Sequence, residues 1–450
     1  MNALLLALSS RCVSLPVAFC LGACAAAFAN YCVDVLGWTR RYRSPWRRFP
    51  KELVDAAPRR VWSTQVPIVG WFVLARIAAT SRRERTAAIP GWESKYFWIR
   101  PCLAELLFAL LAAWRCNALL SDLNASSAAI HLVVELAFYW FLLCASFIDL
   151  DDYIIPDAIT LSGAIFGLIA AVVVGAVFLT PTFYRIADDA WTPSIEFAVG
   201  IKIASSDGIT DLVNDFPHHK TSRFVFGLCA FIWTFWSFAL LDRRFYAKLG
   251  LRRAFAIFYR RLLRSPSTPR VALIWLLGIL AIGFWVRSSG GLDPTARPYA
   301  MEASSLDYLV YSFIGMFVGM VLIWSVRLIG GATLGVEAMG FGDVILSGMI
   351  GTFVGWQGAL VVFFLAPFFG LLFGFARRFS NVERQIPYGP FLSLAAVVYM
   401  IYRLEINEAL AEWFNDPVLL LIVGGIGLIM LGVILWLLRT AKALFHSDAA

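Results

Sequence analysis

Apolar residues fall along this chain in long unbroken blocks rather than in alternation. Ala158 to Leu179 and Val418 to Leu438 hold no charged residue. Each covers the ~20 residues that a helix needs to cross a ~30 Å hydrocarbon layer. Eleven blocks can be drawn, at about 12–32, 102–120, 130–148, 158–179, 224–241, 271–286, 308–326, 344–356, 358–376, 387–403 and 418–438. None shows the period-two pattern of a membrane β-strand, so the spacing predicts a helix in each. The expected fold is all-α, a polytopic bundle of about 11 transmembrane helices in an inner (cytoplasmic) membrane. No small-residue cleavage site ends the first block, which reads as a span rather than a removed leader. Two blocks are weak: 344–356 is short, and the next to last opens near Pro387. Both suit tilted, re-entrant or protein-buried segments.

The polar stretches between blocks alternate in charge. Gly37 to Arg100 carries 14 Lys/Arg against 4 Asp/Glu, and Asp242 to Arg270 carries 9 against 1. Arg377, Arg378 and Arg384, and then Arg439 and Lys442, fall on the same side if successive blocks cross in turn. The opposite loops are acidic: 180–222 has 3 basic and 6 acidic residues, 288–307 has 1 and 3, and 404–416 has 0 and 4. Lys and Arg in short loops mark the cytoplasm, which predicts the N-terminus outside and the C-terminus inside. Residues 180–306 read as an insertion that adds two spans and leaves the sidedness of later spans unchanged. The chain then divides into 1–100, a first span with a basic cytosolic segment, 101–179, the insertion 180–306, and 307–450.

Composition excludes a soluble enzyme: 60% of the 450 residues are hydrophobic and 15% charged, against about 25% charged in ordinary soluble domains. The net charge of +8 lies in the loops between apolar blocks, as expected of a chain whose partner is the lipid bilayer, with no nucleic acid. Eight cysteines include no Cys-x-x-Cys pair, and the four histidines have no ligand spacing. No metal site is expected.

Candidate chemistry sits where carboxylates meet the membrane. Block 130–148 runs directly into Asp149, followed by Asp151, Asp152 and, after Pro156, Asp157. A polar helix boundary, with Asp157 near the first turn of the next helix, is the bland account of the last three. Asp149 lies at the hydrocarbon edge, where an unpaired carboxylate is costly. Asp343 is placed similarly on the same face, in Gly340-Phe341-Gly342-Asp343. Glycines there allow close helix approach, so that an Asp can face a partner across a helix interface. Two carboxylates in a partly dry site tend to share one proton. One can act as general base on a water while the other protonates the developing oxyanion or leaving amine. That is peptide hydrolysis without metal or covalent intermediate.

At these residues the chain resembles the type IV prepilin leader peptidases, membrane aspartyl proteases that also N-methylate their product. The likeness is carried by Phe147 to Asp157 with Thr160, by Gly340 to Asp343 with Glu337, Gly351 and Trp356, and by Ile386-Pro387-Tyr388-Gly389-Pro390-Phe391. Weaker echoes are Asn30, Pro67, Trp71 and Glu105. The resemblance implies Asp149 and Asp343 as the catalytic pair, with Gly340, Gly342, Pro156, Asp157, Pro387, Gly389 and Pro390 as motif support. It implies prepilin or pseudopilin precursors as substrates, no cofactor for cleavage, and S-adenosylmethionine for methylation. On that reading Asp151 and Asp152 would add an acidic rim that attracts a basic leader.

The chain also departs from the family. Segment 38–100 has no cysteine where many members carry two Cys-x-x-Cys pairs, Ile345 stands where a Lys is frequent, and 180–306 lengthens the connection between the aspartates. Trp46, Trp62, Trp71, Phe72, Trp92, Tyr96 and Phe97 are the expected replacement core for a segment without zinc. Two other classes fit the composition. One is a catalytically silent membrane scaffold built around the insertion; the other is a proton-coupled transporter using Asp149, Asp343, Glu105 and Glu135 as a relay. Both key aspartates lie at one membrane edge and no inverted repeat is evident, which weighs against transport.

Overall fold

A computed structural model describes residues 11–54, 61–81, 89–92, 94–178, 218–240, 268–288, 305–334, 339–377 and 387–410, with scattered positions beyond. Among these residues the chain is helical and contains no strand. In order, the helices are α1 (Arg11–Leu36), α2 (Val69–Ser81), α3 (Ile99–Asp122), α4 (Ala125–Asp152), α5 (Asp157–Phe178), α6 (His218–Ala239), α7 (Thr268–Ser288), α8 (Ser305–Leu334), α9 (Phe341–Arg377), α10 (Gly389–Ile401) and α11 (Arg403–Ala409). Helices α1, α3, α4, α5, α7, α8 and α9 are long and apolar enough to cross a membrane. Together α10 and α11, bent by 84°, make an eighth if they count as one span.

The polytopic helical class stands, and the differences from eleven spans have local causes. The blocks 344–356 and 358–376 form one helical stretch, α9, interrupted at Gly355, whose φ of 70° and ψ of −173° no side-chain-bearing residue adopts readily. Apolarity runs straight through that break and so does not mark it. Helix α10 stops at 13 residues before the chain turns into α11. The apolar part of α6, Val225–Ser237, is shorter than a span. Block 418–438 and the loops of the insertion fall largely outside the described residues.

The chain forms two compact units. The first comprises residues up to 160 together with 385–393. Here α1 packs on α3 and α4 through small residues: Ala26 and Ala29 of α1 and Ala109 and Ala112 of α3 are fully buried. Without a hydrophobic force between helices in lipid, such close contact supplies the attraction. Trp140 of α4 donates its indole N–H to the Ala25 carbonyl at 3.0 Å. Arg115 of α3 and Glu135 of α4 form a bidentate pair, both contacts at 2.8 Å. Glu135 is thus already engaged.

Between α1 and α3 the basic segment builds a core of its own, from Tyr42, Trp71, Leu74, Ala78, Ile89, Trp92, Phe97 and Cys102. Trp92 and Phe97 stack at 4.6 Å, and the Trp92 indole donates to the Tyr42 carbonyl at 2.9 Å. Only part of the expected aromatic set enters this core. On α2, Trp71, Leu74 and Ala78 share one face by helical spacing, while Phe72 falls on the other and is exposed. Tyr96 is exposed, and Trp62 is 79% exposed.

The second unit contains residues 161–384 and those from 394 onward. Its centre is the pair α8 and α9. Gly315 of α8 lies against Gly351 and Gly355 of α9, so closely that a Cβ on Gly351 would run into the Gly315 backbone. The ring of Tyr311 covers Gly355, and its hydroxyl bonds Gln357 Oε1 just past the break. Helices α6 and α7 pair through Trp233 and Trp275: one indole donates to the Trp275 carbonyl at 3.1 Å, the other to Thr234 Oγ1 at 2.9 Å.

Replacing Gly351 by Leu is expected to force α8 and α9 apart at a cost of about 2 kcal/mol or more. The matched change Gly374→Leu, at a position with nothing within 4 Å, is expected to be silent. Thermal stability of the two variants in detergent checks this.

Candidate active site

Helix α4 delivers Asp149. Asn124 starts the helix by accepting from the Ser127 amide at 2.9 Å. The helix ends at Tyr153, in left-handed conformation with φ 57°, whose amide bonds the Asp149 carbonyl at 2.9 Å. Pro156 then turns the chain into α5, its carbonyl accepting from Ile159 at 3.1 Å and Thr160 at 3.4 Å. Asp157 takes the first turn of α5.

Asp149 is only 5% exposed. Its carboxylate receives the backbone amide of Gly389, and its Oδ2 makes no hydrogen bond among the described residues. A Cβ at 389 would stand 2.5 Å from that oxygen and 3.1 Å from Ile155 Cδ1, so the position requires glycine. Pro387 precedes this contact, and Pro390 occupies the first turn of α10, where a missing N–H costs nothing. The Tyr388 carbonyl receives the amides of Phe391 at 3.0 Å and Leu392 at 3.2 Å. The backbone at Gly389, between Pro387 and Pro390, therefore faces the Asp149 carboxylate directly.

Asp343 belongs to the second unit. It sits in the first turn of α9, where the positive end of the helix dipole favours a carboxylate, and is 7% exposed. A Cβ on Gly340 would come within 3.4 Å of its Oδ2, and Gly342 precedes it in the same turn. Arg327 of α8, only 4% exposed, holds this turn: its Nε donates to the Met339 carbonyl at 3.1 Å and its guanidinium lies 4.9 Å from the Phe341 ring centroid. Sequence reasoning missed Arg327. The available signal was a lone cation inside an apolar run, Ile323 to Ile329, which has to be held by something. Glu337 and Ile386 lie outside the described residues.

The carboxylates assigned to an acidic rim are bound within the protein. Arg100 meets both oxygens of Asp151 at 2.7 Å, and Arg43 also bonds it. Arg41 meets Asp152 at 2.7 Å, and Thr39 bonds Asp152 as well. Their charge is compensated locally, which corrects the expectation of a free acidic surface.

Asn30, Trp71 and Glu105 do come together. Glu105, 1% exposed, accepts from Asn30 Nδ2 at 2.9 Å, Trp71 Nε1 at 2.8 Å and the Ile68 amide at 2.6 Å. Ile68 has a φ of 64°, a left-handed conformation costly for a β-branched residue. The buried carboxylate stabilises that strained turn and ties α1, α3 and the basic segment together. Among the described residues, no three His, Cys, Asp or Glu side chains are grouped as metal ligands.

Residues 136–192 and 270–375 match the model of the type IV leader peptidase family. Among curated proteins, the prepilin leader peptidase/N-methyltransferase of Aeromonas salmonicida is 28% identical over 109 residues, covering 24% of this chain and 36% of that protein. The protein of the same name from Pseudomonas aeruginosa is 29% identical over 113 residues, covering 24% and 38%. A type 4 prepilin-like proteins leader peptide-processing enzyme of Escherichia coli is 34% identical over 138 residues, covering 27% and 51%. The chain thus spans between about a third and a half of the length of these relatives. No solved structure matches.

Glu105→Ala is expected to lower stability by roughly 3 kcal/mol, because it strands three buried donors. Ile68→Gly, which relieves the strained φ, is expected to be tolerated. Melting temperatures of the purified variants test both.

Proposed function

We propose that this chain, whose segments 136–192 and 270–375 belong to the type IV leader peptidase family, is a multi-pass membrane aspartyl endopeptidase. Its reaction is removal of the leader from prepilin-like precursors at the cytosolic face of a bacterial inner membrane. The observation that carries this reading is the pair of buried carboxylates: Asp149 lies inside the first matched segment and Asp343 inside the second, each at the end of an apolar helix and each 7% exposed or less. The charge of the basic segment 37–100 supports its placement in the cytosol, with the N-terminus outside and the C-terminus inside. The interruption between the matched segments, 193–269, supports an insertion narrower than the expected 180–306, one that holds α6, while α7 lies almost wholly within the second matched segment.

In the proposed reaction Asp149 and Asp343 share one proton. The ionised member takes a proton from a water as that water attacks the scissile carbonyl, and the protonated member donates to the developing oxyanion. The proton taken from water then passes to the leaving amine while a hydroxyl of the gem-diol returns its proton to the member that had donated, so the C–N bond breaks, a carboxylic acid and an amine form, and the pair regains its starting state. The Gly389 amide, directed at Asp149, and the first turn of α9, at Asp343, stabilise whichever carboxylate is charged. Burial keeps the two from ionising together.

The relatives' name adds N-methylation, for which the resemblance implies S-adenosylmethionine. Among the residues that echo the family in the N-terminal part, the Glu105 carboxylate is saturated by Asn30, Trp71 and Ile68 and so has no acceptor left for that cofactor. The proposal therefore rests at cleavage, and no methyl-transfer step is derived.

Asp149→Asn and Asp343→Asn are each expected to abolish processing of a coexpressed precursor, read by mass spectrometry of its N-terminus, while the protein still inserts. Processing by either variant near the wild-type rate would refute the pair. Cleavage is expected to survive dialysis against a strong chelator; loss that added zinc restores would contradict the two-carboxylate chemistry. The pH–rate profile should be bell-shaped, with two apparent values that belong to the pair jointly.

A further inference from the structure

Asp149 and Asp151 stand two residues apart in the last turns of α4, and at ~100° per residue they leave the helix on nearly opposite sides. Asp149 faces Gly389. Asp151 faces the basic segment, where three guanidinium groups converge on it. Arg100 bonds both of its oxygens at 2.7 Å and lies 4.7 Å from the Phe147 ring centroid. Arg43 bonds Oδ2, and Arg41 lies 3.4 Å from it while donating to the Asp151 carbonyl at 3.3 Å.

The cluster extends outward. Arg41 and Thr39 hold Asp152, whose side chain is 2% exposed. Arg43 reaches Asp34 of α1 at 3.5 Å, and Asp34 accepts the Ser44 amide at 2.5 Å. Three carboxylates and three guanidiniums thus form a neutral network between the last turn of α4, the end of α1, the start of the basic segment and the start of α3. An isolated exposed ion pair contributes little. A shared and mostly buried network is different, because losing one member leaves uncompensated charge.

Such a network fixes the rotation of the α4 end. A turn of roughly 20° would carry a carboxylate ~6 Å from the helix axis through about 2 Å. A misplacement of ~1 Å at a reacting group can cost about a hundredfold in rate.

We propose that Asp151, gripped by Arg41, Arg43 and Arg100, is the positioning residue that aims Asp149, which makes the basic segment part of the peptidase rather than an appended module. This rests on the peptidase reading. It also removes Asp151 from any role in attracting a basic leader, since its charge is already matched.

The test uses the full chain in lipid nanodiscs, one precursor with a basic leader and one whose leader charges are neutralised, with rates taken per folded, monodisperse protein. Asp151→Asn is expected to lower kcat by at least about tenfold on both precursors with KM changed less than about threefold. Adding Arg100→Gln to Asp151→Asn should cost nothing more, since both break one interaction. If Asp151→Asn does not fold, Arg43→Gln, which keeps two of the three guanidiniums, is expected to lower kcat about threefold with KM unchanged. An unchanged kcat, fully additive losses, or a rise in KM confined to the basic-leader precursor would each overturn the proposal. Failure of the wild-type chain to cleave either precursor would instead sink the peptidase reading itself.

Discussion

At the end of α4, three arginines close on one carboxylate, and much of the first unit is organised by that contact. Asp151 draws together Arg41 and Arg43 from the start of the basic segment and Arg100 from the edge of α3. Charge at the boundary of a hydrocarbon layer is stable only when it is compensated. The acidic turn that carries Asp149 is therefore matched by counterions drawn from the basic segment and from the start of α3. What remains at the turn is one carboxylate on the opposite side of the helix, faced by backbone at Gly389 and without an ionic partner among the described residues.

The second unit meets the same requirement by different means. Asp343 is supported by the first turn of its own helix, and that turn is braced by Arg327 through a carbonyl and an aromatic ring. The rest of α9 is held to α8 by glycine-to-glycine contact, which suits a bilayer, where apolar side chains gain little by leaving lipid. Small residues in its first half and an ordered polar turn at its start let a long apolar helix present a carboxylate without exposing it. The two aspartates thus have different supports, backbone at Gly389 for one and a helix's first turn for the other.

The two candidate carboxylates were legible in the sequence because a charge directly abutting an apolar block is conspicuous, and Gly340, Gly389 and Pro390 flagged the backbone around them. The helical class was legible from the same blocks. The break at Gly355 was not, since apolar side chains continue on both sides of it and only the backbone dihedral records it. The engagement of Asp151 and Asp152 was hidden because their arginine partners lie 51 to 111 residues earlier in the chain, and proximity in sequence suggested an exposed acidic cluster. Arg327 was not legible because the apolar block ends at 326, whereas the helix continues past it and buries the side chain. In the basic segment, the number of aromatics announced a core without announcing which would enter it. Helical phase places Trp71 inside and Phe72 outside.

The central claim is that Asp149 and Asp343 act as one site, and proximity can be tested without reference to activity. In a chain freed of its eight native cysteines, the substitutions Asp149→Cys and Asp343→Cys would be introduced together. They would then be treated with a short bis-thiol cross-linker in membranes. The account predicts an intramolecular link between the two positions, seen as a joined fragment after proteolysis, with no link when Asp151→Cys replaces Asp149→Cys. A link at 151 with none at 149, or no link at either while both thiols remain reactive, would contradict it.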